Sequence, residues 1–321
     1  MNELEVAVDF RKGFMKLKFA ALGLAIVCGS VQAQPATDAD LCRTTTNAPD
    51  LAIKHCTAAI DTRKANSEML ALWHVQRGVL WSEKGDYDRA IADHTTALKL
   101  DAKVRNANYY RGAAYSNQGE FDRAIADFDV AATMRADDPV VFHARGIELT
   151  VKGDYPRAIA DFDKALQLDA RAEGVHFARG RTLFYMSEFT RAAIDLEAAL
   201  KARPNIYTAL WLFLARKRGG NNDADDLLER ETRGIRAGWP APLVALYMGR
   251  TDINSVMVGA STPEPNRQRE LRCEAGFYVA HAHLVKGERP RAQMLLQEVQ
   301  RTCPKNLLEY EGTLAELRRL Q

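Results

Sequence analysis

The sequence predicts an all-α fold, a right-handed superhelical solenoid of antiparallel helix pairs, because one pattern returns every 34 residues. An Arg-Gly pair stands at 77–78, 111–112, 145–146 and 179–180. Alanines follow each of these glycines at two fixed distances, at positions 90, 124, 158 and 192 and at positions 97, 131, 165 and 199. Further glycines at 85, 119 and 153 precede an acidic and then an aromatic residue. Such a period indicates stacked helical hairpins, each packed on its neighbours.

The small residues in this pattern have a packing explanation. Glycine inside a helix costs about 1 kcal/mol relative to alanine, so its return at position 78 and its equivalents predicts that two helices approach closely there. Gly85, Gly119 and Gly153 are predicted to end the first helix of each pair in the left-handed conformation that glycine adopts without strain. The acidic residue that follows suits the start of the second helix.

The period and these residues resemble the tetratricopeptide repeat. On that basis residues 71–206 form four regular repeats, preceded by a flexible N-terminus and a shortened first repeat at 34–70. Residues 207–270 are a degenerate repeat and a linker, and 271–321 are a last repeat and a capping helix. The elements expected after the regular repeats are helices at Tyr207–Arg218 and Asp223–Arg233, a short helix within Ala237–Gly249, a linker at Gly259–Asn266, a repeat at Cys273–Pro304 and an amphipathic cap at Asn306–Leu320.

The C-terminal half is similar to a narrower group, the NlpI-type lipoproteins of the bacterial cell envelope. The resemblance rests on the segment LWLFLA at 210–215, on Trp239, on LYMG at 246–249, and on Phe277-Tyr278 before Gly287. It implies a homodimeric, non-catalytic adaptor that links peptidoglycan hydrolases with a periplasmic protease or a synthesis complex. The four cysteines outside the N-terminal region depart from that group and suggest a distinct branch.

The N-terminal 33 residues have the layout of a secretory signal peptide. A short basic stretch begins at Met15, an apolar core spans Phe19 to Val27, and Val31-Gln32-Ala33 is a suitable cleavage site. We expect translation to start at Met15, cleavage after Ala33 and a periplasmic or secreted protein. Val27, rather than a small residue, precedes Cys28, so lipid attachment and membrane anchoring are not expected.

The remaining cysteines agree with export. Cys42, Cys56, Cys273 and Cys303 are an even number in an exported chain, which predicts disulfides. Four cysteines allow three pairings, and the expected hairpin geometry favours Cys42–Cys56 and Cys273–Cys303. Cys42 is expected on a short opening helix and Cys56 on the next one, while Cys273 is expected to begin a helix whose partner ends at Cys303.

The concave face, formed by the first helix of each pair, is the predicted binding surface. The resemblance to the repeat family places partner-facing residues there, namely Val75, Val79, Asn106, Tyr109, Asn117, His143, Ile147, Phe177, Arg181, Phe184 and Tyr185. This mixture of aromatic and amide side chains suits an extended peptide or a helix from another protein. The recurring arginines and the aspartates sixteen positions later, such as Arg111 and Asp127, are expected to form partly buried ion pairs.

The sequence shows little that suggests chemistry. No catalytic motif, phosphate loop or metal-binding pattern stands out, so we expect neither a cofactor nor a metal, and a net charge of +2 argues against nucleic acid as a partner. His74 and His176 occupy equivalent repeat positions and are expected to be packing residues.

Two alternatives to the adaptor function stay open. One is a periplasmic chaperone or secretion-assembly subunit, and the other is an enzyme or regulator with its site at 239–266.

Overall fold

A computed structural model describes residues 4–9, 14–19, 37–44, 48–62, 65–235, 238–305 and 307–321. Contact clustering divides the chain into two compact units, with the boundary between Glu148 and Leu149. The helices that lie in or begin in the first unit are α1 (Asp38–Thr44), α2 (Pro49–Asp61), α3 (Ser67–Glu83), α4 (Tyr87–Leu100), α5 (Ala107–Asn117), α6 (Phe121–Met134) and α7 (Pro139–Lys152). The helices of the second unit are α8 (Tyr155–Leu168), α9 (Glu173–Tyr185), α10 (Phe189–Ala202), α11 (Ile206–Arg218), α12 (Ala224–Glu231), α13 (Ala241–Tyr247), α14 (Ile253–Gly259), α15 (Pro265–Val285), α16 (Arg289–Thr302) and α17 (Leu308–Leu320).

The predicted all-α solenoid of paired helices is confirmed. The predicted signal peptide contains a short antiparallel hairpin, with β1 (Leu4–Asp9) paired to β2 (Phe14–Phe19) and Leu4 opposite Phe19. Apolar and polar residues alternate along part of β2, from Met15 to Phe19, which is the period of a strand. Most of the apolar core and the cleavage site predicted for this peptide fall at 20–36, outside the described residues. None of the described helices is both long and apolar enough to cross a membrane.

Three of the glycines in the Arg-Gly pairs, Gly78, Gly112 and Gly180, lie where two helices approach each other closely. A Cβ atom added to Gly78 would lie 2.6 Å from the ring of His94, and one added to Gly112 would lie 3.0 Å from the ring of Phe128. At Gly180 the nearest atom, 2.8 Å away, belongs to Leu196. Each neighbour is sixteen positions further along the chain, on the second helix of the same pair. The predicted close packing is therefore present, and a side chain of that second helix occupies the space that the glycine leaves.

The turns inside the helix pairs follow the prediction as well. Gly85, Gly119 and Gly153 have φ angles of 79°, 79° and 83°. Ser187 takes the same place in the fourth regular repeat with a φ of 65°. Because this conformation is unfavourable for residues with a Cβ atom, the fourth turn is the strained member of the series.

The arginine before each close-packed glycine joins the two helices of its pair. Arg111 donates two hydrogen bonds to Asp127, from Nε to Oδ2 and from Nη2 to Oδ1, both of 2.7 Å. Arg77 binds Asp93 through the same atoms at 2.8 Å, and Arg179 binds Asp195 at 2.7 Å. The aspartate side chains are 3–8% exposed. The ion pairs expected from the sequence are thus bidentate and largely shielded from water.

Arginines of the Arg-Gly pairs also bind the preceding repeat. The Nη1 atom of Arg111 donates to Thr95 at 3.2 Å, that of Arg145 to Asp129 at 2.8 Å and that of Arg179 to Asp163 at 2.6 Å. Each acceptor lies sixteen positions before its arginine, on the second helix of the previous pair. One side chain therefore fixes the distance between successive repeats as well as the distance within a repeat.

Two histidines complete this polar arrangement. His74 Nδ1 lies 2.8 Å from Asp93 Oδ1, and His176 Nδ1 lies 2.9 Å from Asp195 Oδ1. Burial by itself would raise the pKa of Asp93, but its hydrogen bonds to Arg77 and His74 hold that pKa below the ordinary value. The packing role predicted for these histidines therefore includes holding the aspartate that the arginine binds.

Both cysteine pairs lie at disulfide distance in the pairing that the sequence favoured. Cys42 on α1 is bonded to Cys56 on α2, with Cα atoms 4.6 Å apart, and Cys273 is bonded to Cys303, with Cα atoms 5.0 Å apart. All four cysteines are buried. A disulfide that closes a loop of this length typically stabilises a fold by about 3 kcal/mol.

The region after residue 206 differs from the prediction in three places. Cys273 does not begin a helix, since α15 starts at Pro265 and includes part of the expected linker. The helix α14 was not predicted, and the Asp252 side chain caps it by accepting a hydrogen bond from the backbone of Ser255. The last helix, α17, does not form a plain end cap, because it packs against α9, α15 and α16.

The bidentate ion pairs give a first prediction. Asp127→Asn removes the charge and one of the two acceptor oxygens while leaving Arg111 partly buried, so we expect the free energy of unfolding to fall by roughly 1–3 kcal/mol. Chemical denaturation measures this change. Asp137→Asn, at an exposed position of the same unit, is the control and should change stability by less than about 0.5 kcal/mol. Equal stabilities of the two variants would contradict the structural importance of the pair.

Candidate functional site

The binding residues predicted in the first unit divide by their exposure. Val75, Val79, Tyr109 and His143 are buried, with 3–8% of their surface exposed. The three others, Asn106, Asn117 and Ile147, are half-buried. The accessible part of the predicted site in this unit therefore consists of two amides and one aliphatic side chain.

Tyr109 illustrates why a position on the expected concave face can belong to the core. Its ring lies 5.4 Å from that of Tyr110 and 5.7 Å from that of Phe128, and the Arg135 guanidinium lies 5.4 Å from its centre. Burial raises the pKa of its hydroxyl. Tyr109 is therefore a packing residue, one side of which faces an open cavity.

That side is a cavity of about 350 Å³ beside the start of α5. Asn106 precedes the helix in the left-handed conformation, with a φ of 69°. The lining combines amide, cationic, apolar and acidic side chains: Lys103, Val104, Arg105, Asn106, Asn108, Tyr109, Ala131, Met134, Arg135 and Asp137. The structure thus brings two of the predicted residues, Asn106 and Tyr109, together at one concave opening with polar walls.

In the second unit, all four predicted residues are covered by the chain itself. Phe177, Arg181, Phe184 and Tyr185 are at most 6% exposed. The ring of Phe184 lies 5.2 Å from that of Trp211 on α11. These four residues therefore do not form an open surface in this structure.

The element that covers two of them, Arg181 and Tyr185, is α17. The hydroxyl of Tyr185 donates to the carbonyl oxygen of Leu308 at 3.4 Å, and Arg181 Nη2 lies 3.6 Å from Glu311 Oε2. A Cβ atom on Gly312 would lie 2.6 Å from Phe277 and 3.3 Å from Tyr185. A helix therefore already occupies the surface where the sequence predicted a partner, and a glycine allows it to approach closely.

Polar contacts surround the C-terminal end of α17. Arg218 on α11 donates to Glu316 at 2.5 Å, and Arg319 also pairs with Glu316. Arg319 donates to Ser187 Oγ and Arg318 to Tyr155 Oη, both at 2.7 Å. Ion pairs and hydrogen bonds thus fix the helix at this end.

A buried group of ionisable side chains lies beneath the start of α17. Glu274 of α15 accepts hydrogen bonds from Trp239 Nε1 at 2.6 Å and from the hydroxyl of Tyr207 at 2.9 Å. Glu309 of α17 is 4% exposed. Burial, and then the nearby Glu274, raise the pKa of Glu309 to about 8. Burial also raises the pKa of Glu311, although Arg181 opposes that change.

Sequence reasoning missed this group. The prediction treated α17 as an amphipathic cap with leucines along one side. Glu309 and Glu316 fall among the buried residues of the helix, and carboxylates are rarely buried without a partner. The signal available in the sequence was the position of these glutamates around the helix relative to its leucines.

The remaining candidates for chemistry are separated from one another. His281 is fully buried, and burial lowers its pKa well below the ordinary value. His283 instead pairs with Glu288 at 2.5 Å. Within the described residues no group of three His, Cys, Asp or Glu side chains is arranged to hold a metal ion.

The comparisons with known proteins agree with this fold. Residues 82–139 and 143–205 match the model of the tetratricopeptide repeat family. No curated protein matches the chain. The chain has the tetratricopeptide-like solenoid, a class of fold that generally mediates protein–protein interactions and is typically non-catalytic.

Three solved structures illustrate the likeness. A tetratricopeptide repeat protein from Parabacteroides merdae is 16% identical, with a TM-score of 0.55 over 78% of this chain and 98% of its own. The C-terminal part of a repeat-containing protein from Cytophaga hutchinsonii is 18% identical, with a TM-score of 0.52 over 85% and 97%. YrrB, described as a repeat protein with an unusual peptide-binding site, is 20% identical, with a TM-score of 0.51 over 61% and 98%. At these identities the likeness concerns the fold.

The raised pKa of Glu309 gives a second prediction. A carboxyl whose pKa is about 8 in the folded protein and about 4.5 when unfolded stabilises the fold fully below pH 4.5 and loses that contribution as the pH rises to 8. Each pH unit in this window costs roughly 1.4 kcal/mol. Glu309→Gln stays neutral, so we expect the variant to be more stable than the native protein at pH 8 and similar to it near pH 4.5.

Denaturation curves recorded between pH 4.5 and pH 8 measure this difference. The control is Glu298→Gln at an exposed position of α16, which should leave the native pH dependence unchanged. Parallel stability profiles of Glu309→Gln and the native protein would show that Glu309 does not titrate in this window.

Proposed function

We propose that this protein is a non-catalytic, exported adaptor that holds other proteins through its helical repeats. The observation that carries the proposal is the surface of the first unit, where Asn106, Asn117 and Ile147 remain half-exposed and Asn106 lines the cavity beside α5. Amides satisfy the backbone of an extended segment, and an aliphatic side chain beside them supplies apolar contact. The ligand that this chemistry fits is a peptide segment of another protein.

The compartment is part of the proposal. The signal-like layout of residues 15–33 supports export. The two buried cysteine pairs, at disulfide distance on α1–α2 and α15–α16, support an oxidising environment. The periplasm satisfies both conditions.

The partners that we propose are peptidoglycan hydrolases together with a protease that processes them, or with a synthesis complex. This assignment rests on the resemblance of the segments around 210–215 and 246–249 to the NlpI-type adaptors. The peptide-binding site named for YrrB, whose fold is similar, is in keeping with a peptide as the ligand. Homodimer formation is proposed on the same resemblance.

Affinity capture from periplasmic extract tests the proposal. Protein from Gln34 onward is immobilised in native form and as the triple variant Asn106→Ala, Asn117→Ala, Ile147→Ala. We expect a hydrolase or a protease to bind the native protein and to bind the variant at least tenfold more weakly, since central contacts of an interface contribute more than about 1 kcal/mol each.

The matched control carries Lys99→Ala and Val130→Ser, which are exposed on the second helices of two repeats in the same unit. Retention by the control at the native level would assign the loss to the predicted surface. Equal retention by the native protein and the triple variant would overturn the site, and the absence of any envelope hydrolase or protease would overturn the adaptor function.

A further inference from the structure

The surface beneath α17 has the properties of a receptor for a helix. Arg181 and Tyr185 of α9 and Phe277 of α15 contribute to it, and each is at most 6% exposed. Arg218 of α11 contributes the ion pair with Glu316 of α17. The helix α17 follows the disulfide that ties Cys303 to α15, and a short segment, 304–307, connects it to that point. On this surface α17 packs against α9 and α15, and it also packs against α16.

The polar groups of this surface are incompletely matched by α17. Within the described residues, Nε and Nη1 of Arg181 and the hydroxyl of Tyr278 have no hydrogen-bond partner, and neither does Oε2 of Glu309. The nearest carboxylate to Arg181 is that of Glu311, at 3.6 Å, which is beyond hydrogen-bond length. Buried groups of this kind are normally satisfied, so the receptor offers donors that its present occupant leaves unused.

The charges are also unbalanced. Glu309 and Glu311 both lie near the buried guanidinium of Arg181. Glu274 also lies near Glu309, but it is 3.8 Å from a cation of its own, Arg267. Burying a carboxyl group without its own cation is costly. A helix with an uncharged residue in place of Glu309 would remove this cost and keep the remaining contacts.

From these observations we infer that the groove formed by α9, α11 and α15 is a second protein-binding site, which α17 fills until an amphipathic helix of a partner protein displaces it. The partner helix carries one carboxylate for Arg181 at the position of Glu311, a small residue at the position of Gly312 and a second carboxylate for Arg218 at the position of Glu316. An uncharged residue stands in place of Glu309. The inference rests on the proposed function, since it assumes that the chain holds other proteins, but it uses a different surface.

A labelled synthetic peptide supplies the probe. It has the sequence of residues 307–321 with Glu309→Gln, and fluorescence anisotropy measures its binding to the full chain. In the variant Gly312→Leu the added side chain meets Phe277 and Tyr185, so α17 no longer fits. We expect this variant to bind the peptide at least tenfold more tightly than the native protein, in which α17 competes.

Further variants identify the contacts. In the Gly312→Leu background, Arg181→Gln should weaken peptide binding at least tenfold, and so should Glu311→Gln in the peptide. Gln321→Leu adds the same side chain at the exposed last residue and should bind the peptide no better than the native protein does.

The native protein gives an independent test if Gly312→Leu does not fold. Saturating peptide should speed hydrogen exchange of the amides of α17 and leave those of α16 unchanged. Unchanged exchange, or binding that is insensitive to Arg181→Gln, would overturn the inference. A concentration-dependent dimer that excludes the peptide would also overturn it, because a second copy of the chain would then be the occupant. None of these results depends on the surface of the first unit, so failure here is distinguishable from failure of the proposed adaptor function.

Discussion

The structure depends on one recurring interaction, the bond between an arginine on the first helix of a repeat and an aspartate sixteen residues later. In the first unit Arg111 binds Asp127 through two hydrogen bonds and also donates to Thr95 of the repeat before. In the second unit Arg179 binds Asp195 and Asp163 in the same way. The neighbouring glycine lets the helices approach closely enough for a planar guanidinium to reach both partners. Orientation within a repeat and spacing between repeats therefore have a common cause.

This arrangement determines which side chains remain for binding. Tyr109 and Phe184 belong to the core because their rings pack on other aromatic rings, Tyr109 on Phe128 and Phe184 on Trp211. In the first unit the smaller polar residues Asn106 and Asn117 stay half-exposed. In the second unit the chain covers the equivalent surface with α17, whose polar contacts are less complete than its apolar ones. The same type of repeat forms both surfaces. The surface of the first unit is partly exposed, whereas that of the second unit is covered by α17.

Most of the fold could be predicted from the sequence, because the 34-residue period encodes local contacts that repeat. The turn glycines, the ion pairs and the pairing of Cys42 with Cys56 all follow from the period and its neighbours. The site was less predictable, since repeat position distinguishes the faces of a helix but does not reveal what packs on them. The docking of α17 on α9 joins residues more than 120 positions apart, such as Tyr185 and Leu308. No periodic signal in the sequence encodes a contact of that kind.

A double-mutant cycle tests the central role of the arginine most directly. Arg179→Gln, Asp195→Asn and their combination are compared by chemical denaturation, and the same cycle is made with Asp163, whose side chain is 53% exposed. We predict a coupling energy above about 1 kcal/mol for the buried Arg179–Asp195 pair and below about 0.5 kcal/mol for Arg179–Asp163. A coupling near zero for the buried pair would contradict it, because the repeats would then be held together by apolar packing alone.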